Sequence, residues 1–257
     1  MRTRIPVLID FDGVIKLGNK IAVDAEKFFS FLKDNDIPFF LISNSTLRTS
    51  EEMLEFIQKN GIEANIPSMT AVDATLSYVG DNYKRVSVYC RDHIKPLFSE
   101  FDVDEDPEAV VLGDIADRWT YETMNEIFRK VWNGADIIAM HKNRYWEPDG
   151  KTLTMDAGAF ITAIEYAASK EAIVIGKPSP IYFQTAKKQL GFKPDSEFIM
   201  IGDDVESDIE AAQRIGGKGI LIYTGKTEYP FEGDSVKPDF EAMNLKEVIL
   251  ILRKLLD

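Results

Sequence analysis

Short apolar runs that do not alternate with polar residues recur along this chain at 5–9, 39–42, 172–175, 198–201 and 220–223. Alternation would mark a strand with one wet face, whereas unbroken runs suit strands buried on both faces, as in a parallel sheet. Amphipathic helical patterns lie between most of them. One covers 24–34 and turns Phe28, Phe29, Phe31 and Leu32 inward. A second opens at Thr49 with Glu52 three residues on, carries Met53, Leu54 and Ile57, and stops at Gly61. A third starts at Pro180 and ends near Leu190, and a fourth spans 209–215 before Gly216 and Gly217. The tail from 244 to 256 reads as a last helix packing Leu245, Val248, Ile249, Leu252 and Leu255. Strand and helix in alternation predict an α/β fold with a Rossmann-like parallel-sheet core, whose ligand site lies at the carboxyl ends of the strands.

The stretch 84–171 is too long for one connection within such a sheet and has signals of its own. Residues 86–89, 109–112 and 136–140 read as strands, and 121–132 and 157–168 as helices. This predicts an inserted α/β domain over 84–171, leaving 1–83 and 172–257 as the core.

Charge narrows the partners. Forty-three acidic against thirty basic residues give a formal charge of −13, which argues against a nucleic-acid or anionic-membrane surface. A small phosphorylated ligand is compatible with that charge, because a divalent cation and one well-placed lysine reverse the field locally. The single cysteine, Cys90, excludes an intramolecular disulfide, and His93 and His141 are too few for a histidine-rich metal site. There is no signal-peptide core and no apolar stretch of roughly twenty residues. A soluble cytoplasmic protein is expected.

Four of the apolar runs end in reactive residues. The first stops at Asp10 and Asp12, with Gly13 following. In extended chain, residues i and i+2 face one side, so one carboxylate could attack or hold a metal while its neighbour moves a proton; an ordinary turn uses the same residues. After 39–42 come Ser43, Asn44, Ser45 and Thr46, suited to phosphate oxygens and equally to turns and helix caps. After 172–175 comes Lys177, between Gly176 and Pro178, able to place a compact charge on a phosphate or between two carboxylates. After 198–201 come Gly202, Asp203 and Asp204, then Asp208, a cluster suited to a hard cation or to the start of a helix. In one parallel sheet all four ends share a rim.

In order and spacing, Asp10-Phe11-Asp12-Gly13-Val14, Ser43-Asn44, Gly176-Lys177-Pro178 and Gly202-Asp203-Asp204 with Asp208 resemble the four motifs of the haloacid dehalogenase superfamily. The long insertion between the second and third motifs resembles the large α/β cap of the phosphatases grouped with 4-nitrophenylphosphatase. The segment His141 to Trp146, and Gly158-Ala159 opening a helix, resemble the branch that contains phospholysine phosphohistidine inorganic pyrophosphate phosphatase. The resemblance implies that Asp10 is a nucleophile forming an aspartyl phosphate and Asp12 the acid and then the base. It implies Mg2+ held by the Asp10 carboxylate, the Asp12 backbone carbonyl and Asp203, with Asp204 or Asp208 acting from outside that shell. Ser43, the Asn44 amide and Lys177 would take charge on the transferring oxygens, with Gly13 beside them. Dehalogenases of the superfamily lack the acid at the position of Asp12, so its presence favours phosphoester cleavage.

A closing cap would set substrate preference. His141, Lys142, Asn143 and Arg144 are the candidates, against the alternative that His141 is a satisfied structural histidine and that Tyr145 and Trp146 only pack the cap. Cys90 reads as a buried structural thiol, and His93 has no assignable role. The expected activity is Mg2+-dependent hydrolysis of a small phosphorylated metabolite, with pyrophosphate and phosphoamides also in range. The competing readings are a phosphoacceptor signalling module, opposed by Asp12 and by the insertion, and a non-catalytic phosphate-binding protein. Homodimerisation through the cap follows from the resemblance alone.

Overall fold

The computed structural model describes residues 5–63, 65–146, 152–233 and 236–256. Six strands form the main sheet, in the order Phe240–Ala242, Lys218–Ile222, Ile199–Gly202, Val7–Asp10, Phe39–Ser43, Ser68–Thr70. Val7–Asp10 occupies the middle and pairs in parallel with both neighbours, Ile9 standing opposite Ile201 on one side and Leu41 on the other. Its unbroken apolar run has the reason expected: Val7, Leu8 and Ile9 are all fully buried, a gain of about 1.5–3 kcal/mol for each large side chain. Both faces are thus dry, and the polar residues are displaced to the strand's end.

The helices Ala25–Asp34, Ser50–Lys59 and Leu245–Leu256 contribute Phe28, Phe29, Leu32, Met53, Ile57, Val248 and Leu252 to one core with Ile9, Leu41, Ile201 and Ile220. Ile249 and Leu255 pack at its margin, as the period of the tail requires. The helix Pro180–Gln189 begins as its residues dictate: Ser179 Oγ accepts from the Ile181 amide, and Pro180 occupies a first-turn position where no amide is needed. It buries Tyr182, Phe183 and Ala186.

A second sheet, of four strands, has the order Ile173–Val174, Asp136–Ala139, Ala109–Leu112, Val86–Tyr89, all pairs parallel. The run 172–175 therefore does not join the main sheet as its composition predicts. Ile173 stands opposite Ile138, and the Ile175 and Gly176 amides donate to Ala139 O and Met140 O. An apolar run fits any buried strand, and its partners are set by the 84–171 segment rather than locally. Helices Tyr121–Trp132 and Ala157–Ala168 fall where the helical period places them and pack on this sheet through Ile127, Val131, Ile161 and Ile164.

The chain divides into two compact units. One holds the residues up to Ser43, Ser50–Met69 and Lys177 onward; the other holds Asn44–Thr49 and Thr70–Gly176. The second includes the helix Ala71–Asn82, which starts in a capping box between Thr70 and Asp73. Among the described residues, no helix is long and apolar enough to cross a membrane.

Candidate active site

The main sheet brings Asp10, Asp12, Ser43 and Asp203 together at one rim, because each lies at or just beyond the carboxyl end of one of three adjacent strands. Lys177 reaches them from the turn that precedes the helix Pro180–Gln189. Its ammonium, on a side chain 3% exposed, stands 2.7 Å from Asp10 Oδ1 and 2.7 Å from Asp208 Oδ1. Asp10 Oδ1 also accepts from the Phe11 amide at 2.9 Å.

Asp10, Asp203 and Asp208 each offer a carboxylate oxygen within 4.8 Å of the others, and all three residues are buried. One lysine faces three carboxylates. Burial raises the Asp10 carboxyl well above its usual range, opposed by Lys177 and reinforced by Asp208 and Asp203. Burial, then Asp208, push Asp203 up to about 6. Asp208 is raised by burial as well, with Lys177 opposing. For Lys177, burial would lower the ammonium, but Asp10 and Asp208 together raise it, so it stays charged. Hard oxygen donors, buried and short of positive charge, suit a small divalent cation. The residues present therefore fit the metal that the resemblance implies.

The Asp12 carboxylate is turned elsewhere. Its Oδ2 accepts from Ser43 Oγ at 3.0 Å, and Oδ1 lies 3.3 Å from Lys16 Nζ. The two carboxylates of the Asp-x-Asp pair are thus separated, one among acids and Lys177, the other beside a hydroxyl.

Asp204 and Asp208, the two alternatives for the outer group, have carboxylates in different surroundings, although the Asp204 amide donates to Asp208 Oδ2 at 3.3 Å. Residues 205–210 wind as a π-helix, a form frequent at functional sites. Asp204 is its N-cap, accepting from the Glu206 and Ser207 amides, and it pairs with Lys226. Asp208, four residues on, is the fully buried member of the cluster. Gly202 fits because a Cβ there would overlap the Asp208 carboxylate.

Ser43 is held by a residue that sequence reading misses. The Tyr182 hydroxyl accepts from the Ser43 amide at 3.2 Å and lies 2.6 Å from Ser43 O and 2.9 Å from Met69 O. A tyrosine on a helix's apolar face reads as core, which Tyr182 also is. Asn44, the next residue, has its Oδ1 2.8 Å from where a Cβ on Gly176 would sit.

The 141–144 segment belongs to the second unit. His141 is buried; its Nδ1 accepts from the Asn143 amide at 3.1 Å and its Nε2 lies 3.8 Å from Asp156 Oδ1. Burial lowers the imidazole pKa, against the pull of Asp156. Lys142 pairs with Glu165 at 2.7 Å, and Arg144 lies 6.0 Å from the Tyr145 ring centre. The Asn143 carbonyl accepts from the Gly158 amide, and Gly158 is needed because a Cβ there would strike the backbone of Lys142 and Asn143. Cys90 is buried, its thiol pushed up to about 12 chiefly by that burial.

The fold and the rim together define an α/β protein with a buried carboxylate centre bridged by one lysine. The family described as "Haloacid dehalogenase-like hydrolase" matches residues 7–104, and that described as "HAD-hyrolase-like" matches residues 174–248. Haloacid dehalogenase-like hydrolase domain-containing protein 2 of Mus musculus is 32% identical over 222 residues, 86% of this chain and 84% of that protein. Phospholysine phosphohistidine inorganic pyrophosphate phosphatase of Danio rerio is 29% identical, over 91% of this chain and 88% of that protein. The crystal structure of 4-nitrophenylphosphatase from Thermotoga maritima shares the fold, with a TM-score of 0.85 and 23% identity over 95% of this chain and 96% of that one. The chain belongs to the haloacid dehalogenase-like hydrolase family.

Proposed function

We propose that this protein is a Mg2+-dependent phosphatase that hydrolyses small phosphorylated metabolites through an aspartyl phosphate on Asp10. The observation that carries the reading is the division between Asp10, 2.7 Å from the Lys177 ammonium, and Asp12, turned onto Ser43. A nucleophile must be aimed and held beside positive charge, and a proton carrier must stay clear of the attack line; the two carboxylates have those separate surroundings.

In this reading Asp10 attacks phosphorus while Asp12 protonates the departing oxygen. Asp12, now a carboxylate, takes a proton from the water that attacks the aspartyl phosphate, releasing phosphate and restoring Asp10. Ser43 Oγ and Lys177 receive charge on the transferring oxygens, the Asn44 amide and Gly13 being further candidates for that role, and Tyr182 holds Ser43 in place. Asp10 and Asp203, with the Asp12 carbonyl, would hold Mg2+, and Asp208 would anchor Lys177 beside it. The cation would screen the repulsion between the Asp10 carboxylate and an anionic phosphoryl group.

The relative named for phospholysine, phosphohistidine and pyrophosphate makes phosphoamides and pyrophosphate worth testing beside esters. Substrate preference is assigned to the second unit, with Lys142, Asn143 and Arg144 ahead of the buried His141. The acidic charge favours a small phosphorylated substrate over nucleic acid or membrane, a cytoplasmic location and a homodimer being the remaining parts of this proposal. The test is a hydrolysis panel of phosphoesters, pyrophosphate and phosphoamides with Mg2+, ranked by kcat/KM. At least one class should turn over, and activity should vanish with EDTA. Turnover unaffected by EDTA, or tight phosphate-ligand binding with no turnover of any class, would sink the reading.

A further inference from the structure

A fifth turn meets the same rim, and neither the family motifs nor the sequence pattern assigns it a role. After the strand Lys218–Ile222, residues 223–227 form a turn that reaches Gly13 and Asp203. Thr224 Oγ1 donates to Gly13 O at 2.6 Å, tying this turn to the one that follows Asp12. The Lys226 amide donates to Asp203 Oδ2 at 2.6 Å, and the Thr227 amide to Asp203 O at 3.1 Å. Two glycines lie against the Asp203 carboxylate: a Cβ on either Gly13 or Gly225 would overlap its Oδ2. Gly13 further has φ +85°, where a side chain is strained. Outside the turn, the Lys226 ammonium pairs with Asp204, the residue after Asp203.

We infer that the turn 224–226 is a positioning device for Asp203. Its backbone amide fixes one carboxylate oxygen, Gly225 and Gly13 leave the carboxylate one slot, and the Thr224 hydroxyl locks the two glycine turns against each other. The carboxylate therefore enters the acidic cluster in a single orientation without having to be ordered by the cation. Thr224, Gly225 and Lys226 do not touch the cation; they act through Asp203. The inference rests on the reading of Asp203 as a cation ligand, and supports for a ligand commonly alter metal affinity about 10- to 100-fold when removed.

The test is calorimetric titration with Mg2+ alone, without substrate, on the full chain, with melting in EDTA as the check on folding. Thr224→Val keeps the branched shape and removes the hydroxyl; Gly225→Ala forces the Asp203 carboxylate to move. Each should weaken Mg2+ binding by about tenfold or more, while Thr224→Ser restores the parent affinity. Asp203→Asn is measured alongside. If Asp203→Asn abolishes binding but Thr224→Val and a folded Gly225→Ala both bind within about twofold of the parent, the turn has no positioning role. If Asp203→Asn itself binds Mg2+ as the parent does, both the cation site and its support are overturned.

Discussion

Lys177 Nζ lies 2.7 Å from Asp10 Oδ1, and the same ammonium is equally close to Asp208. A single buried cation thus holds two buried carboxylates, so removing it would expose their mutual repulsion. Lys177→Met should therefore destabilise the fold, by about 3–5 kcal/mol, the range for breaking a buried ion pair by removing one partner. Adding Asp208→Asn to that variant should recover part of the loss. Denaturant melts of the two variants check this; equal stability for both would contradict the bridge.

Asp203→Asn should act in the opposite direction. Burial first, and then Asp208, push the Asp203 carboxyl up to about 6 from an ordinary value of 3.8. A carboxyl raised on folding binds its proton more tightly in the native state, so it costs stability above about pH 6, and that cost fades as pH falls toward 4. That rise limits the cost to about 3 kcal/mol. In EDTA at neutral pH, Asp203→Asn should melt higher than the parent. The difference should shrink on acidification, and Mg2+ should no longer raise the melting temperature. A variant that melts lower in EDTA at neutral pH and still responds to Mg2+ would refute the cluster.

The Asp12 carboxylate bonds to Ser43 and Lys16, which suits the proposed proton role, its backbone carbonyl alone being offered to the cation. Asp12→Asn should leave Mg2+ affinity near the parent's while cutting turnover of alkyl phosphates by about 10²- to 10⁴-fold. The loss should be smaller for p-nitrophenyl phosphate, whose leaving group needs no proton. Comparison of kcat on the two ester types decides; equal losses would remove the acid role.

Cys90 is 1% exposed, and its thiol is pushed up to about 12. At about pH 8 an aromatic disulfide reagent should leave it unreacted in the folded protein and label it fully after denaturation. Fast native labelling would place the thiol elsewhere.

The reactive residues were legible because a strand buried on both faces has no room for them, so Asp10, Ser43 and Asp203 could only fall at strand ends. Lys177 was legible as a residue but not by its strand. Ile173 and Val174 look the same in either sheet, and only pairing with Ile138 and Ala139 decides between them. Tyr182 was hidden because its ring serves the core while its hydroxyl serves Ser43. The strand Phe240–Ala242 is three residues long and offers no period to read. Thr224-Gly225-Lys226 reads as a plain turn, since its effect on Asp203 runs through a backbone amide and two missing side chains. The π-helical turn that follows Asp204 and carries Asp208 likewise has no sequence signal of its own.

Asp10 is the proposed phosphoryl acceptor. The direct test is a single turnover in Mg2+, quenched in acid, reduced with borohydride and mapped by peptide mass spectrometry. An aspartyl phosphate is reduced to homoserine, so position 10 should carry homoserine early in the turnover and lose it as phosphate is released. Phosphate release with Asp10 unmodified throughout, or homoserine at another position, would contradict the account.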